Sequence, residues 1–311
     1  MDKVKSFVAK RAVPLVLVLM CVVFAVISPN FLTVNNAMTV LRQISMMAIM
    51  ACGVSFVMLC GHVDLSVASI ASLSGVVCAL VMVNLGMPDI VAYLAALAFG
   101  ALVGLLNGCL ITYTGMNPMI GTLGTAKALS GVAYIICNGG MPIYGLPESA
   151  KFIGQGYLGP IPFPVFIMIL CLLVNAFILS RTRIGRSMYA VGSNKEVARL
   201  SGINTTRIQI LSYCGSGLFS ALTGIILMSR VYSGQPNGAV NYEMDTLTAC
   251  IVGGIGIGGG TGNTLSILIG ALIVGVINNG LTIIRVSEYW QMIARGGILV
   301  FAVAVDSIIR L

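Results

Sequence analysis

The chain has 311 residues, of which 58% are apolar and only 8% are Asp, Glu, Lys or Arg. Soluble domains carry about 25% charged residues, so this composition excludes a soluble enzyme or a disordered chain and indicates an integral membrane protein. The net charge of +8 arises mostly near the N-terminus and between residues 181 and 207, a pattern typical of cytoplasmic loops rather than of a nucleic-acid-binding surface.

Ten apolar segments are long enough to predict membrane-spanning helices, which need about 20 residues each. With a cytoplasmic N-terminus, six crossings return the chain to the cytoplasm at the second positive cluster, and ten leave the C-terminus inside. The longest external segment, 139–162, is rich in Gly and Pro and is expected to be an ordered loop without regular helix. The sequence therefore predicts an all-α membrane protein with one transmembrane domain over 1–311. The predicted spans are 12–28 (an uncleaved first helix), 38–60, 64–84, 90–113, 119–138, 163–180, 208–230, 242–258, 264–284 and 290–310.

The fourth and ninth predicted spans share a sequence motif. Residues 100–108 read GALVGLLNG and residues 270–280 read GALIVGVINNG, with a weaker likeness between 66–75 and 244–253. These two spans would cross the membrane in opposite directions, so spans two to five and seven to ten are predicted to form an inverted repeat. Inverted repeats place a pathway at their interface. The alternative is a chance similarity between glycine-rich membrane helices.

Polar turns interrupt the apolar sequence before predicted helices. Asp64, within GHVDLS, is expected to cap the next helix because a carboxylate accepts amide hydrogens at a helix N-terminus. Glu243 and Asp245 follow a partial counterpart, QPNG, in the second half. A charge inside the membrane needs a partner or water, so these acids predict helix starts beside a polar pathway. The alternative is a capped turn at the membrane face. The single histidine, His62, is expected to be a polar turn residue.

No sequence pattern predicts a catalytic centre, a metal site or a nucleotide site. The nine cysteines lie in or beside apolar segments without a C-x-x-C pair and are expected to be packing residues. Residues 254–259 match G-x-G-x-x-G but lack the strand and the later acidic residue of a dinucleotide site, so these glycines, like those at 100, 104 and 108, predict close helix contact. The sequence contains no P-loop, so if ATP drives this protein, another chain binds it.

The segment 181–207 is predicted to carry a short helix outside the membrane. Ser193 and Glu196 have the spacing of a capping box, and Gly202 is a candidate for the helix C-terminus. The expected apolar face comprises Val197, Leu200 and Ile203. Such a face predicts a helix that docks on a cytoplasmic partner, and the alternative is a connector lying on lipid headgroups.

These motifs resemble those of permease subunits of bacterial ABC importers for ribose-type monosaccharides. Residues 196–202, EVARLSG, are similar to the Glu-Ala-Ala…Gly segment with which such permeases dock on their ATPase, and residues 61–69, GHVDLSVAS, resemble the family signature GGIDLSVGS. The likeness covers nearly the whole chain. The ATPase-coupling residues that it implies are Asn194, Glu196, Ala198, Arg199 and Gly202.

The resemblance implies a ten-helix permease of the cobalamin-importer (type II) class in the bacterial inner membrane, paired with a second copy of itself or a similar permease. Its partners would be a cytoplasmic ABC ATPase, which binds ATP and Mg²⁺, and a periplasmic sugar-binding protein, with no cofactor in this chain. An uncharged monosaccharide such as a ribose-like pentose requires hydroxyl and amide partners. The pathway candidates are Asp64, Asn107, Glu243, Asp245, Asn278 and Asn279. Interhelical hydrogen bonding is the alternative role of the three asparagines.

The sequence departs from the family pattern in two places. His62 and Val63 replace Gly and Ile in the signature, and Ala68 replaces Gly. Ser130 stands where relatives often have Arg before a Gly, with Lys127 one turn earlier. These departures leave the solute open, so autoinducer-2 or another small polar solute is an alternative, and branched-chain amino-acid permeases are more distant kin. An ion-coupled secondary carrier with a titrating or Na⁺-binding buried acid is a further alternative.

Overall fold

A computed structural model describes residues 17–310, which form helices connected by short turns and one small hairpin. The positive cluster near the N-terminus and residues 12–16 of the first predicted span lie outside these described residues. A 3₁₀ turn at Glu148–Ala150 and the strands β1 (Tyr157–Leu158) and β2 (Ile161–Pro162) complete the structure. The helices are α1 (Leu17–Ile27), α2 (Val34–Leu59), α3 (Val67–Val83), α4 (Asp89–Thr114), α5 (Pro118–Ile136), α6 (Lys151–Gln155), α7 (Phe163–Arg181), α8 (Arg183–Ser193), α9 (Lys195–Leu200), α10 (Thr205–Val231), α11 (Tyr242–Gly253), α12 (Thr264–Ile283) and α13 (Glu288–Arg310).

Each predicted span coincides with a helix, and most ends agree within a few residues. The eighth is the exception. It was expected to extend to residue 258, but α11 ends at Gly253 because Gly254 adopts φ +101°, a left-handed conformation that terminates helices. Within residues 17–310, six helices are long and apolar enough to cross a membrane, namely α2, α4, α5, α7, α10 and α12. The all-α membrane fold is confirmed, whereas ten crossings remain a prediction.

Helix α10 lies at the centre of the fold and packs against α2, α3 and α4. The glycines of the first repeated motif make the contact with α4 possible. A Cβ atom on Gly104 would overlap the carbonyl oxygen of Tyr213, and one on Gly100 would overlap Gly217 and Ala221. The predicted close helix contact at these glycines is therefore confirmed, and it brings the two backbones together without intervening side chains.

The helix contacts support the predicted repeat, in which α2–α5 correspond to α10–α13. Helix α3 packs on α4 and α5, and its counterpart α11 packs on α12 and α13. The contact between α4 and α10 likewise has its counterpart in the contact between α12 and α2. The two halves thus repeat the same arrangement, while their opposite direction across a membrane stays a prediction.

The segment 139–162 is ordered, as expected, but the prediction that it lacks regular helix is wrong. It contains α6 and the antiparallel pair β1–β2. The amide of Gly154 donates a hydrogen bond to Ser229 Oγ (2.7 Å), and a Cβ on Gly154 would overlap the backbone of Arg230. The five-residue helix therefore forms because its single glycine packs directly on α10, a tertiary effect that composition does not reveal.

Candidate coupling segment and polar pathway

A single residue, Asn194, separates α8 from α9. Its extended backbone (φ −160°, ψ 108°) ends α8, and its side-chain Oδ1 accepts a hydrogen bond from the amide of Val197 (3.0 Å). The prediction that Ser193 caps α9 is wrong, because Ser193 is the last residue of α8. Both Asn and Ser are favoured caps, and the local backbone break decides between these neighbours.

Gly202 ends the short helix, as predicted. It adopts φ +82°, its amide bonds to the carbonyl of Arg199, and the Ile203 amide bonds to the carbonyl of Ala198. These paired hydrogen bonds form a Schellman motif, which satisfies carbonyl groups that a helix end otherwise leaves unpaired. A helix of only six residues is thereby closed at both ends.

The predicted apolar face of α9 is split in two. Val197 and Leu200 are 56% and 85% exposed, whereas Ile203 packs against the main apolar core. Ala198 is buried and fixes the helix to the same core, while Glu196 and the other charged side chains of α9 are exposed. Helix α9 therefore exposes two apolar side chains, Val197 and Leu200, among exposed charged residues, while its opposite side packs on the core.

Residues 181–207, which we call the coupling segment, contact a turn from each half of the molecule. The Gly260 amide donates to the Leu59 carbonyl (3.0 Å), and Gly192 lies so close to both that a Cβ would overlap them. The Tyr189 hydroxyl donates to the Gly262 carbonyl (2.7 Å), and burial raises the pKa of this phenol. Gly259 of the glycine-rich sequence 254–259 joins this junction, since a Cβ on it would overlap Gly61 and Gly192. The close contact predicted for these glycines is therefore made by a loop rather than by a membrane helix, because α11 ends at Gly253.

His62 belongs to a hydrogen-bond network beside this junction. Its Nε2 lies 3.0 Å from Gln209 Nε2, and its Nδ1 lies 3.4 Å from the Tyr213 hydroxyl. Burial, together with the nearby Lys195 cation, lowers the pKa of His62 to about 4, so the ring is neutral at pH 7. Since the Gln209 amide donates, the network assigns the ring proton to Nδ1, which donates to Tyr213. The expected turn residue therefore connects the α2–α3 turn to α10.

The Asp64 carboxylate is fully buried in a group of hydroxyls. The N-cap of α3 is Ser66 rather than Asp64, so the predicted capping role is wrong in its position. Asp64 Oδ1 accepts from the Ser66 amide (2.9 Å) and hydroxyl (2.6 Å), and Oδ2 accepts from Ser216 Oγ (2.8 Å). Asn107 Nδ2 donates to Ser66 Oγ (2.8 Å), which adds α4. Among the described residues, no lysine or arginine pairs with Asp64. This group, the Asp64 cage, links α3, α4 and α10.

The second half contains a related but more open group. Asn278 Nδ2 donates to Asp245 Oδ2 (3.0 Å), Arg295 Nε donates to Asn278 Oδ1 (3.1 Å), and Arg295 Nη1 lies 3.8 Å from Asp245 Oδ2. The side chains of Asp245 and Arg295 are 12% and 31% exposed, and all three residues line a small pocket. We call this triangle the Asp245 pocket. Sequence reasoning named Asp245 and Asn278 but missed Arg295, although a charge within an apolar span was an available signal.

The other candidate pathway residues lie elsewhere. Asn279 exchanges two hydrogen bonds with Asn36 of α2 (3.0 and 2.9 Å), which is the interhelical role named as its alternative. Glu243 is half-buried at the start of α11, where the exposed Lys127 of α5 acts on it electrostatically. The hydroxyl oxygen of Ser130 lies 3.1 Å from that of Ser69, where α5 packs on α3. Of the six pathway candidates, the structure therefore brings together two in the Asp245 pocket and two in the Asp64 cage, while Glu243 and Asn279 lie apart from both.

Comparison with known proteins identifies relatives over nearly the whole chain. Residues 36–303 match the protein family described as branched-chain amino acid transport system / permease component. The chain is 38% identical to the ribose import permease protein of Escherichia coli K12 over 97% of this chain and 95% of the relative. Its identity to two further permease proteins of that strain is 34% for D-allose transport (94% and 90% covered) and 38% for L-arabinose transport (94% and 87%). Among solved structures, none matches the chain significantly.

Proposed function

This chain belongs to the family of membrane permease components of ABC importers, and we propose that it forms the transmembrane passage through which an ATP-driven importer moves a monosaccharide. Relatives described as permeases for ribose, D-allose and L-arabinose support a pentose or related sugar as the substrate. In this proposal the chain performs no chemistry on the sugar. Its work is a conformational change driven by another subunit.

The observation that carries this proposal is the exposure of Leu200 on an otherwise anchored helix. Together with Val197, which is 56% exposed, the 85% exposed Leu200 forms an apolar patch on a capped six-residue helix, and such a patch suits a docking surface. A cytoplasmic ATPase, which binds ATP and Mg²⁺, is the proposed occupant. Asn194 and Gly202 would hold the helix, Ala198 would anchor it, and Glu196 and Arg199 would surround the apolar contact.

Movement of α9 would reach both halves of the permease directly. Gly192 and Tyr189 of α8 contact the α2–α3 turn and the loop between α11 and α12, which precede α3 and α12. A push on α9 would therefore act on both repeats at once. Alternating tilts of two repeated halves are the general way in which such folds open a pathway to either side.

The proposed setting is the bacterial inner membrane, with both chain termini and α9 in the cytoplasm. A periplasmic sugar-binding protein would deliver the sugar at the opposite face, which carries the 139–162 segment, and a second copy of the chain or a similar permease would complete the passage. Of the pathway candidates, Asp245 and Asn278 line a pocket and are the strongest.

Replacing Leu200 with Asp tests the docking surface. Because Leu200 makes little contact with the fold, the variant should enter the membrane normally but lose capture of the ATPase and ATP-dependent sugar uptake. Leu85→Asp is the matched control, since Leu85 is 59% exposed in the turn between α3 and α4, which the proposed topology places at the opposite face. Normal ATPase capture by the Leu200 variant would contradict the proposal.

A further inference from the structure

The Asp245 pocket has hydrogen-bonding capacity that the protein itself does not use. Both contacts of the carboxylate go to Oδ2, and no described residue donates a hydrogen bond to Oδ1. Arg295 uses Nε for Asn278, while its Nη2 has no described partner. The pocket therefore offers an acceptor and a donor.

The shape and charge of this pocket restrict what can enter it. It has room for about one water-sized group, and its apolar walls are Val274, Ile277 and Ile298. The negative charge of Asp245 opposes the entry of an anion, and the positive charge of Arg295 opposes that of a cation. Neither charge is fully neutralised by the other, because the two side chains are 3.8 Å apart. A neutral hydroxyl, which both donates and accepts, fits this combination.

We propose that the Asp245 pocket receives one hydroxyl group of a passing neutral sugar and that Arg295 is the positioning residue of this subsite. This inference rests on the proposed function and deepens it. Asp245 Oδ1 accepts a hydrogen bond from the hydroxyl, while the apolar walls contact the carbon-bound hydrogens beside it. Arg295 acts mainly through its partners, since its guanidinium fixes the Asn278 amide, which in turn holds the carboxylate.

The Asp64 cage supplies an internal comparison for this assignment. There the related acid is fully buried, both of its oxygens accept hydrogen bonds, and no cation accompanies it. The corresponding asparagine, Asn107, is also buried. The Asn107 Oδ1 atom has no described partner but is buried, so of these two groups only the Asp245 pocket has hydrogen-bonding atoms that a ligand can reach.

The test measures the maximum uptake rate of D-ribose and of 2-, 3- and 5-deoxyribose. The permease, reconstituted with its ATPase in proteoliposomes, is supplied with saturating binding protein loaded with each sugar, so that differences between sugars arise at the permease. At least one deoxy sugar should cross about tenfold more slowly than ribose, the effect of one hydrogen bond to a charged group. In Arg295→Lys, which keeps the charge but lacks the planar fork, this difference should disappear.

Arg285→Lys is the matched control, because Arg285 is an exposed arginine in the turn before α13 and should retain discrimination. If Arg295→Lys does not assemble with the ATPase, Val274→Leu, which narrows the pocket without changing a charge, should abolish the same difference. Equal rates for all four sugars in the unmodified complex, or discrimination that persists in the assembled pocket variant, would overturn the subsite. Absence of ATP-dependent uptake of any monosaccharide by the unmodified complex would instead overturn the proposed function.

Discussion

The Asp64 cage and the Asp245 pocket occupy related places in the two halves but have different properties. Each joins an acid near the start of one helix to an asparagine in the repeated glycine motif, through Asn107 of GALVGLLNG and Asn278 of GALIVGVINNG. In the first half, serine hydroxyls satisfy both carboxylate oxygens and exclude solvent. In the second, an arginine replaces them and a pocket remains. One framework thus buries its polar atoms in the first half, including an unpaired Asn107 Oδ1, and leaves accessible hydrogen-bonding atoms in the second.

The largest difference between the two groups should appear when each acid is removed. Asp64→Ala leaves a buried amide and two hydroxyls without their acceptor, so it should lower the free energy of unfolding by about 3 kcal/mol. Asp245→Ala removes a carboxylate whose side chain is 12% exposed and which accepts one side-chain hydrogen bond, so it should cost about 1 kcal/mol. Denaturant titration in detergent micelles measures both. Equal losses would remove the distinction between cage and pocket.

Replacing the two asparagines should sharpen the same contrast. Asn107 is 1% exposed and ties α4 to Ser66, so Asn107→Ala should cost about 2 kcal/mol of stability. Asn278→Ala should cost less than half of that and act mainly on sugar uptake. Parallel unfolding and transport measurements separate the effects, and a stable but inactive Asn107 variant would show that the cage also serves transport directly.

The network beside the Asp64 cage should also make stability depend on pH. Burial lowers the pKa of His62 in the folded protein to about 4, from the 6.5 of an ordinary histidine, so the unfolded chain binds the extra proton more readily. This contribution to stability should be complete well above pH 6.5 and fall by about 2 kcal/mol on acidification to pH 5. Unfolding curves of the unmodified protein and of His62→Gln at pH 7 and pH 5 measure how much His62 contributes to this loss of stability. A slope that is unchanged in His62→Gln would exclude the histidine as its source.

The smallest expected effect concerns the junction that both halves share. Tyr189→Phe removes the hydroxyl that donates to Gly262 but keeps the ring, so it should cost about 1 kcal/mol of stability. Because this bond links α8 to the loop before α12, coupling between ATP hydrolysis and uptake should weaken as well. The ratio of sugar transported to ATP hydrolysed measures this coupling, and Tyr144→Phe, in an exposed loop, serves as control.

Helix locations could be predicted from the sequence because long apolar segments in a membrane protein have few alternatives to helix. The predictions that failed depend on contacts between distant residues. Helix α6 forms because Gly154 packs on α10, and Asn194 rather than Ser193 begins α9 because the backbone breaks there. The local sequence carries no signal strong enough to predict either the formation of α6 or the residue at which α9 begins.

The candidate site was only partly predictable for the same reason. Acids and asparagines within apolar segments stand out, which is why Asp245 and Asn278 were named. Their separation into cage and pocket depends on Ser216 and Arg295, which lie 152 and 50 positions from the acids they contact. A residue pair with such a separation can be recognised only after the chain has folded.

The backbone contact at Gly192 gives the permease a two-way link between α8 and both of its halves. Since no side chain separates this residue from Leu59 and Gly260, a shift of either turn displaces α8, and the reverse holds equally. Thermodynamic linkage requires such coupling to be reciprocal. In the proposed importer, the ATPase changes the affinity of the passage for the sugar by some factor. The sugar must then change the affinity of the permease for the ATPase by the same factor.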